Sequence, residues 1–417
     1  MNNLDDVVIV SAVRTPFGRF GGVMKDISSL ELGVRAIRKA LEKLGQGTDL
    51  VDELYFGTCV LPENALETNV LGRQAVLKAG LPPETLSLTI DKACCSSMTA
   101  LHLGYRSIKS GEADVVVAVG SENMSRAPFL APEVRWGQRL GPAQLIDPLY
   151  ALGYAEWNPV SVDAGEVALQ YGVTREEQDR WALRSQRYYA QACSEGKFTE
   201  EVFSLEVSSE KKTVTVEQDE QPRPDVTLEQ LSKLPTVYGS PTITPGNAPG
   251  MNTGAGAIVL MSRRKAEALG VEVLGAVRSI ASVALEPHLI AAVPAPALEK
   301  VLERSGEVSL EQLSLIEINE AFAAMPLVSS KILAAGGWSE ETSPSKGDLS
   351  VDLAKLEQLR EKINVNGGAV AIGHPVGASG ARITMSLLYE LRRRGGGYGA
   401  AAICGGLAQG DAVLLEV

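Results

Sequence analysis

The sequence has few of the residues from which metal sites and disulfide frameworks are built. Its 417 residues include only five cysteines and three histidines. The cysteine count is odd and no pair has the CxxC spacing of a ligand set. We therefore expect that the protein resides in a reducing compartment and that it has no disulfide scaffold and no bound metal. With three histidines, a site that needs an imidazole has few candidates.

Long apolar runs and excess positive charge are also missing. No stretch approaches the roughly 18 apolar residues of a membrane span. The acidic N-terminus lacks the basic region of a signal peptide, so we expect a cytoplasmic location. The net charge of −12 argues against a nucleic-acid partner. Apolar residues make up 45% and charged residues 22%, typical of a globular enzyme with two or three domain-sized units.

What the sequence does contain is an internal repeat. Residues 88–122 read as a strand, a turn with Cys94, a helix and a buried strand. Residues 363–406 repeat this order, with His374 in the turn and Cys404 in the last strand. Apolar runs that alternate with helical periods indicate a mainly parallel, helix-covered sheet in each half. The predicted elements are 30–44, 51–56, 96–110, 115–120, 296–305, 313–318, 378–394 and 399–404.

A region of different composition, 124–251, separates the two copies. It is rich in charge and proline, and its clearest helix is predicted over 175–194. Thr174 and Glu177 have the spacing of a capping box at the start of this helix. We interpret the region as an inserted loop domain that lies over the site. A second insertion, 337–362, reads as a surface excursion that ends in a charged helix.

The first candidate for chemistry is Cys94. A thiol at a helix N-terminus faces free backbone N–H groups and the positive end of the dipole, which are expected to lower its pKa and favour thiolate. The same logic applies to Cys95. A buried, inert cysteine is an equally ordinary interpretation for either residue.

His374 lies in a glycine-rich segment, 366–380, where it could activate a thiol as general base. A satisfied turn histidine and a phosphate-binding loop are the alternatives, although the glycine spacing does not fit GxGxxG. Cys404 ends a strand at two glycines, where Gly406 could offer a backbone N–H to an oxyanion. Asn319 follows a strand and could hold a water or an oxyanion, or simply cap the next helix. The repeat places these turns at one sheet edge.

Together these segments resemble the thiolase family over essentially the whole chain. The opening Val10–Gly18, the Cys94 turn, Glu317–Ala323, Asn364–Gly380 and Cys404–Gly406 appear in the order of that family. The resemblance implies a duplicated α/β fold, with two mixed sheets and covering helices in a layered αβαβα arrangement plus an inserted loop domain. It divides the chain into 1–123 with 252–277, then 124–251, and then 278–417.

The resemblance also implies a CoA-dependent reaction, either thiolytic cleavage of a 3-oxoacyl-CoA or the reverse Claisen condensation. Cys94 would be the acylated nucleophile, activated by His374. Cys404 would move the proton at the α-carbon or on the CoA sulfur. Asn319 would fix a water in one oxyanion hole with His374, and the N–H groups of Cys94 and Gly406 would form another. A covalent acyl-enzyme gives ping-pong kinetics.

Coenzyme A is expected as co-substrate, with no tightly bound cofactor. Arg223 matches the family residue near the adenine. Ala248 and Pro249 lie in a segment where the family has a serine that contacts pantetheine. The acyl-pocket segment aligns with Pro159–Ser161. Because these positions depart from the family, we expect a bulkier, branched, aromatic or carboxylated acyl chain.

Several alternatives stay open at this point. A decarboxylating ketoacyl synthase shares the fold, but it usually has a second histidine where Asn319 stands. A non-catalytic subunit of a larger complex would retain the fold without the chemistry. A redox switch between Cys94 and Cys95 would require a strained ring. The resemblance suggests a homodimer or tetramer, and a dedicated protein partner is a further possibility.

Overall fold

The computed structural model describes residues 6–150, 156–208, 212–339, 342–343 and 349–417. The strands are β1 (Val7–Arg14), β2 (Gly18–Arg19), β3 (Glu53–Gly57), β4 (Leu86–Ile90), β5 (Val115–Asn123), β6 (Leu205–Ser208), β7 (Thr213–Val216), β8 (Asn252–Ser262), β9 (Gly275–Ala284), β10 (Leu313–Ile318), β11 (Tyr398–Gly405) and β12 (Gln409–Glu416). The α-helices are α1 (Ser29–Leu44), α2 (Leu61–Ala65), α3 (Leu71–Ala79), α4 (Ser96–Ser110), α5 (Val160–Gln170), α6 (Arg175–Ser194), α7 (Leu228–Ser232), α8 (Arg263–Leu269), α9 (Pro294–Ser305), α10 (Ala324–Ala334), α11 (Leu353–Lys362), α12 (Ala369–Ile372) and α13 (Ser379–Arg393).

Each half of the chain builds its own mixed sheet. The N-terminal half has the strand order β4-β3-β5-β8-β1, and the C-terminal half has β10-β11-β12-β9. Hydrogen bonds between β1 and β9, from Val7 to Ile9, join the two edge to edge. Among the described strands, only the pairs β3–β4, β3–β5 and β10–β11 are parallel. The expectation of mainly parallel sheets was therefore wrong, because a run of apolar residues does not reveal the direction of its strand.

Helices cover the sheets in layers, as the fold class predicted. Residues of α4 and α13 pack between the two sheets, where Leu101 and Leu388 share a core with Ile258 of one half and Val413 of the other. Helices α1 and α3 cover the outer face of the N-terminal sheet. Helices α9 and α10 cover the outer face of the C-terminal sheet. This is the αβαβα order, and it places α4 and α13, which follow the two reactive turns, side by side.

Most predicted helices lie within a few residues of their predicted bounds. The helix at 96–110 agrees fully, and the 378–394 helix is α13. The capping box of α6 is present, since Thr174 and Glu177 each accept from the other's backbone N–H. The predicted strand at 363 was wrong, because Ile363 makes only one isolated bridge, to Ile316.

The region between the halves lies beside the site. It contains α5, α6, α7 and the hairpin β6–β7. Arg14, at the end of β1, forms buried ion pairs with Glu201 (2.8 Å) and Asp219 (2.6 Å) from this region. The second insertion contains α11, while residues 340–341 and 344–348 lie outside the described part. The division into three units stays a prediction.

Candidate active site

The Cys94 turn is a tight bend between β4 and α4. Ala93 has φ +48°, a left-handed conformation that costs energy for a residue with a side chain. The Ser96 hydroxyl donates to the Ala93 carbonyl (2.7 Å) and accepts from the Lys92 N–H (2.9 Å), which holds the bend. The bend leaves Cys94 partly exposed beside a cavity. Cys95 is buried, and its thiol donates to the Ile403 carbonyl (3.5 Å), so the structure separates the two cysteines that the sequence left equivalent.

His374 faces the Cys94 thiol. The distance from Cys94 Sγ to His374 Nε2 is 3.2 Å, and His374 Nδ1 lies 2.6 Å from the Ser379 hydroxyl. That hydroxyl donates to the Pro375 carbonyl (3.1 Å), so we assign it as the acceptor of the Nδ1–H. This tautomer leaves the Nε2 lone pair free to accept the thiol proton. The arrangement is that of a nucleophile and its general base.

The thiol and the imidazole are both uncharged in this setting. Burial, together with the nearby Arg382 guanidinium, lowers the pKa of His374 to about 3. Burial raises the pKa of the Cys94 thiol well above its ordinary value, and the neighbouring Cys404 adds to the rise. The expectation that the helix N-terminus makes Cys94 acidic was therefore wrong. The sulfur faces a cavity lined mainly by apolar residues, and the reduced hydration there outweighs the helix dipole.

Cys404 brings a second thiol to the same cavity. It is buried at the end of β11, next to the two glycines at 405 and 406. Burial raises the pKa of its thiol to about 12. A side chain at Gly405 would collide with Cys95 Sγ, which lies 2.8 Å from the position of a Cβ. Glycine at 405 therefore allows the strand end to approach the Cys94 turn closely.

Asn319 is buried and does not line the cavity. Its Oδ1 accepts from Arg382 Nη2 (3.1 Å), while its Nδ2 is buried without a partner. Arg382 also donates to Glu317 Oε2 (3.2 Å). Because the guanidinium can only donate, it fixes the orientation of the Asn319 amide and leaves the N–H₂ group available.

One cavity contains most of the predicted site. It has a volume of about 340 Å³. Cys94, His374, Cys404 and Gly406 line it together with Ala248 and Pro249, and so do Val160 and Ser161 of the predicted acyl segment. Arg223 does not line this cavity, because it lies exposed on a shallow depression with Leu231 and Leu234.

Sequence reasoning missed three residues that support the site, namely Ser379, Arg382 and Glu122. The Glu122 carboxylate accepts from the N–H groups of Cys59 (3.0 Å), Val60 (3.0 Å) and Gly377 (2.9 Å). It thus ties the loop after β3 to the His374 turn. Ser379 and Arg382 lie in or beside the quoted glycine-rich segment, which was the available signal. For Glu122, the only signal was an acid at the end of an apolar strand.

Within the described residues, none of the helices combines the length and the apolar character that a membrane crossing needs. The same residues contain no group of three or more His, Cys, Asp or Glu side chains arranged to hold a metal ion.

Comparison with known proteins gives consistent matches. Residues 7–264 match the thiolase N-terminal domain, and residues 271–417 match the thiolase C-terminal domain. An acetyl-CoA acetyltransferase of Syntrophomonas wolfei is 39% identical over 417 residues, and one of Pseudomonas aeruginosa is 40% identical over 419 residues, each with 99% of both chains covered.

Solved structures agree with the sequence matches. The crystal structure of human mitochondrial 3-ketoacyl-CoA thiolase superposes with a TM-score of 0.88 at 36% identity, covering 99% of both chains. The same human protein in complex with CoA gives a TM-score of 0.87. Matches of this extent, in both sequence and fold, establish that the chain belongs to the thiolase family.

Proposed function

We propose that this thiolase-family enzyme transfers an acyl group between a 3-oxoacyl-CoA and free CoA through an acyl-enzyme on Cys94. The observation that carries the proposal is the 3.2 Å contact between Cys94 Sγ and His374 Nε2, in a cavity that also contains the Cys404 thiol. One imidazole and two thiols are the groups that such a transfer needs. Run in reverse, the same steps form the carbon–carbon bond of a Claisen condensation.

In the first half-reaction, Cys94 attacks the 3-oxo carbon of the substrate. His374 Nε2 takes the thiol proton as the carbon–sulfur bond forms. The bond between C2 and C3 then breaks, and its electron pair stays on C2 as the enolate of acetyl-CoA. Cys404, a neutral thiol because burial raises its pKa to about 12, donates its proton to C2. The products are acetyl-CoA, an acyl thioester on Cys94, an imidazolium and a Cys404 thiolate.

The second half-reaction restores the enzyme. Free CoA gives its thiol proton to the Cys404 thiolate, and its sulfur attacks the acyl carbon on Cys94. The bond from that carbon to Cys94 breaks. Cys94 leaves as a thiolate and recovers its proton from the His374 imidazolium. Each group ends in its starting state. Because acetyl-CoA leaves the acyl-enzyme before free CoA reacts with it, the two half-reactions give ping-pong kinetics.

The negative charge that develops on the substrate oxygens during the reaction needs hydrogen-bond donors. We assign the protonated His374, with a water held by the Asn319 amide, to the thioester oxygen. The buried, unpartnered Nδ2 of Asn319 supports this role, since a buried donor without a partner is rare. We assign the backbone N–H groups of Cys94 and Gly406 to the oxygen on the carbon that Cys94 attacks. Donors fixed in a dry site stabilise such charge by several kcal/mol.

Coenzyme A enters as co-substrate. We propose that its pantetheine arm passes Ala248 and Pro249, which line the cavity. Pro249 cannot offer the hydroxyl that the family serine offers. Arg223 would lie near the adenine, outside the cavity, where its exposed guanidinium could stack on the ring. A cytoplasmic location stays a prediction.

We also propose that the protein is a homo-oligomer. Strand β4 lies at the end of the sheet and pairs only with β3 among the described strands. Its residues Leu86 and Leu88 are 67% and 50% exposed. Exposed apolar residues on an open edge are avoided in monomers, because they invite another strand to pair. A second copy of this chain is the occupant we propose.

The proposal is tested by trapping the acyl-enzyme. The protein is mixed with a panel of 3-oxoacyl-CoAs without free CoA, quenched, and measured by intact mass and peptide mapping. We expect one acyl group on Cys94, and loss of that label in a Cys94→Ala variant. Cys95→Ala is the matched control and should keep the label. An acyl group on Cys95, or no label with any substrate, would overturn the proposal.

A further inference from the structure

The apolar residues that line the cavity belong to two packing clusters, and these form its two walls. We call the first the N-side wall; its apolar residues pack together as one cluster. They are Val60, Met124, Leu149 and Val376, with Cys59 and Met251 packed against them. We call the second the C-side wall; its residues belong to or pack on the core of the C-terminal half. They are Val160, Val237, Ala248, Ile290, Ala321 and Phe322.

The two thiols are divided between these walls. Cys94 packs against the N-side cluster, whereas Cys404 is part of the C-terminal core that supports the C-side wall. In the proposed reaction, the acyl fragment stays on Cys94 while the acetyl-CoA enolate takes its proton from Cys404. The bond that breaks therefore separates a fragment on the N-side wall from a fragment on the C-side wall. An acyl chain that starts at Cys94 Sγ begins among the residues of the N-side wall.

The chemistry of the N-side wall selects the kind of chain. None of the described residues that line the cavity is a lysine, arginine, aspartate or glutamate. The acid behind this wall, Glu122, is occupied by the N–H groups of Cys59, Val60 and Gly377. A carboxylate at the end of the acyl chain would find no cation there and would lose its hydration. Branched or straight hydrocarbon would instead gain from burial.

We infer that the N-side wall is the acyl subsite, that it takes uncharged, apolar acyl groups, and that Val60 limits their bulk. This inference rests on the proposed function and narrows it, since it removes carboxylated chains from the expected substrates. It also moves the main determinant of acyl specificity away from Pro159–Ser161. Val160 and Ser161 lie on α5, and Val160 packs with the C-side wall, where the pantetheine arm is proposed to lie.

A matched pair of substrates tests the chemical class. The substrates 3-oxohexanoyl-CoA and 3-oxoadipyl-CoA have the same chain length and differ by one terminal carboxylate. We expect the parent protein to cleave the uncharged substrate with a kcat/KM about 100-fold higher, because a site with no partner for a charged group rejects it strongly. Equal or higher kcat/KM for 3-oxoadipyl-CoA would overturn the inference.

A matched pair of variants tests the wall. Val60→Ala enlarges the cavity at the N-side wall and keeps the backbone N–H from which Glu122 accepts a hydrogen bond. Val237→Ala makes the same change at the C-side wall. We expect V60A to raise the kcat/KM ratio of 4-methyl-3-oxopentanoyl-CoA to acetoacetyl-CoA about 10-fold, since one or two methyl groups contribute on this scale. We expect V237A to leave that ratio unchanged and to raise KM for CoA. A ratio of two kcat/KM values within one variant does not depend on the fraction of active protein, and neither does a KM. A partly unfolded preparation therefore does not alter the comparison.

The opposite pattern would overturn the inference. A kcat/KM ratio that changes in V237A and not in V60A would place the acyl chain on the C-side wall. A ratio unchanged in both variants would show that neither wall determines the acyl specificity. Failure of the proposed function looks different, because no acyl mass then appears on Cys94 with any substrate. An acyl-enzyme on Cys94 with an unshifted V60A ratio thus rejects the subsite and leaves the reaction standing.

Discussion

The Cys94 thiol shows that a position at a helix N-terminus does not by itself make a group acidic. Free N–H groups and the helix dipole favour the thiolate, but their effect is modest compared with the loss of hydration in a buried site. Here burial raises the pKa of Cys94 and lowers that of His374 to about 3. The resting pair is therefore a neutral thiol and a neutral imidazole, and the proton moves only as the thiol attacks.

This neutral pair predicts the pH dependence of alkylation. With a pKa well above 9, the thiolate fraction of Cys94 rises about tenfold for each pH unit below the pKa. We expect the rate of Cys94 modification by iodoacetamide to rise in this way from pH 6 to pH 9. Peptide mapping separates Cys94 from the exposed Cys193, and a Cys94→Ser variant gives the background. A rate that is flat between pH 6 and pH 8 would instead indicate a preformed thiolate–imidazolium pair.

Glu122 predicts a pH dependence of stability. Burial raises the pKa of this carboxyl to about 7 in the folded protein, above its ordinary value of 4.5. The folded state then holds the proton more tightly than the unfolded state, so stability is lost as pH rises from 4.5 through 7. In a Glu122→Gln variant this loss is absent. We expect the free energy of unfolding of the parent, relative to E122Q, to fall by up to about 3 kcal/mol between pH 5 and pH 8.

Urea denaturation at the two pH values measures this difference. The lost acceptor in E122Q also costs stability, because the amide cannot accept from all three N–H groups, but that cost is the same at both pH values. Other titrating groups are shared by the two proteins and cancel. A difference in unfolding free energy that does not change with pH would show that Glu122 keeps one charge state throughout.

At the scale of secondary structure, the predicted helices are present and one predicted strand is not. Helices α4 and α13 follow from apolar periodicity and end signals such as Gly111, which has φ +78° after α4. The strand expected near Ile363 is replaced by a side chain. The Asn364 amide accepts from the Ile318 N–H (2.9 Å) and donates to the Ile318 carbonyl (2.8 Å), as a neighbouring strand would. Pattern alone cannot reveal such a substitution, because it depends on tertiary contact.

The ion pairs of Arg14 predict how firmly β1 holds the inserted region. Asp219 accepts from two nitrogens of Arg14 (2.6 and 3.0 Å), and both side chains are buried. Asp219→Ala leaves a buried charge with one partner fewer, so we expect a loss of about 3–5 kcal/mol in the free energy of unfolding. The exposed pair of Glu176 and Arg180 on α6 provides the control, and Glu176→Ala should cost less than about 1 kcal/mol. Urea denaturation compares them, and equal losses would contradict the assignment.

At the scale of the whole molecule, the site is assembled where the two halves meet. Cys94 lies in the turn just before α4 and His374 lies just before α13, and these helices pack together between the two sheets. The repeat in the sequence predicts that the two turns lie at equivalent places in the two halves. It does not predict that Arg382 orients Asn319, or that Ser379 sets the tautomer of His374, because both depend on side-chain contacts within the assembled core. The reaction class was thus predictable, whereas the charge state of its groups required the structure.

The same scale gives a prediction for assembly. A second chain that pairs with β4 would cover Leu86 and Leu88, so lysine at both positions should oppose pairing by charge and by the loss of apolar contact. Light scattering after size exclusion should give the parent at two or four times the 44.2 kDa chain mass. The double variant Leu86→Lys, Leu88→Lys should have half the parent mass, because one open edge joins two chains. Leu353→Lys is the control, because Leu353 is 75% exposed on α11 and away from β4 in sequence, and it should keep the parent mass. A parent at 44.2 kDa, or a double variant with the parent mass, would show that β4 is not the interface between chains.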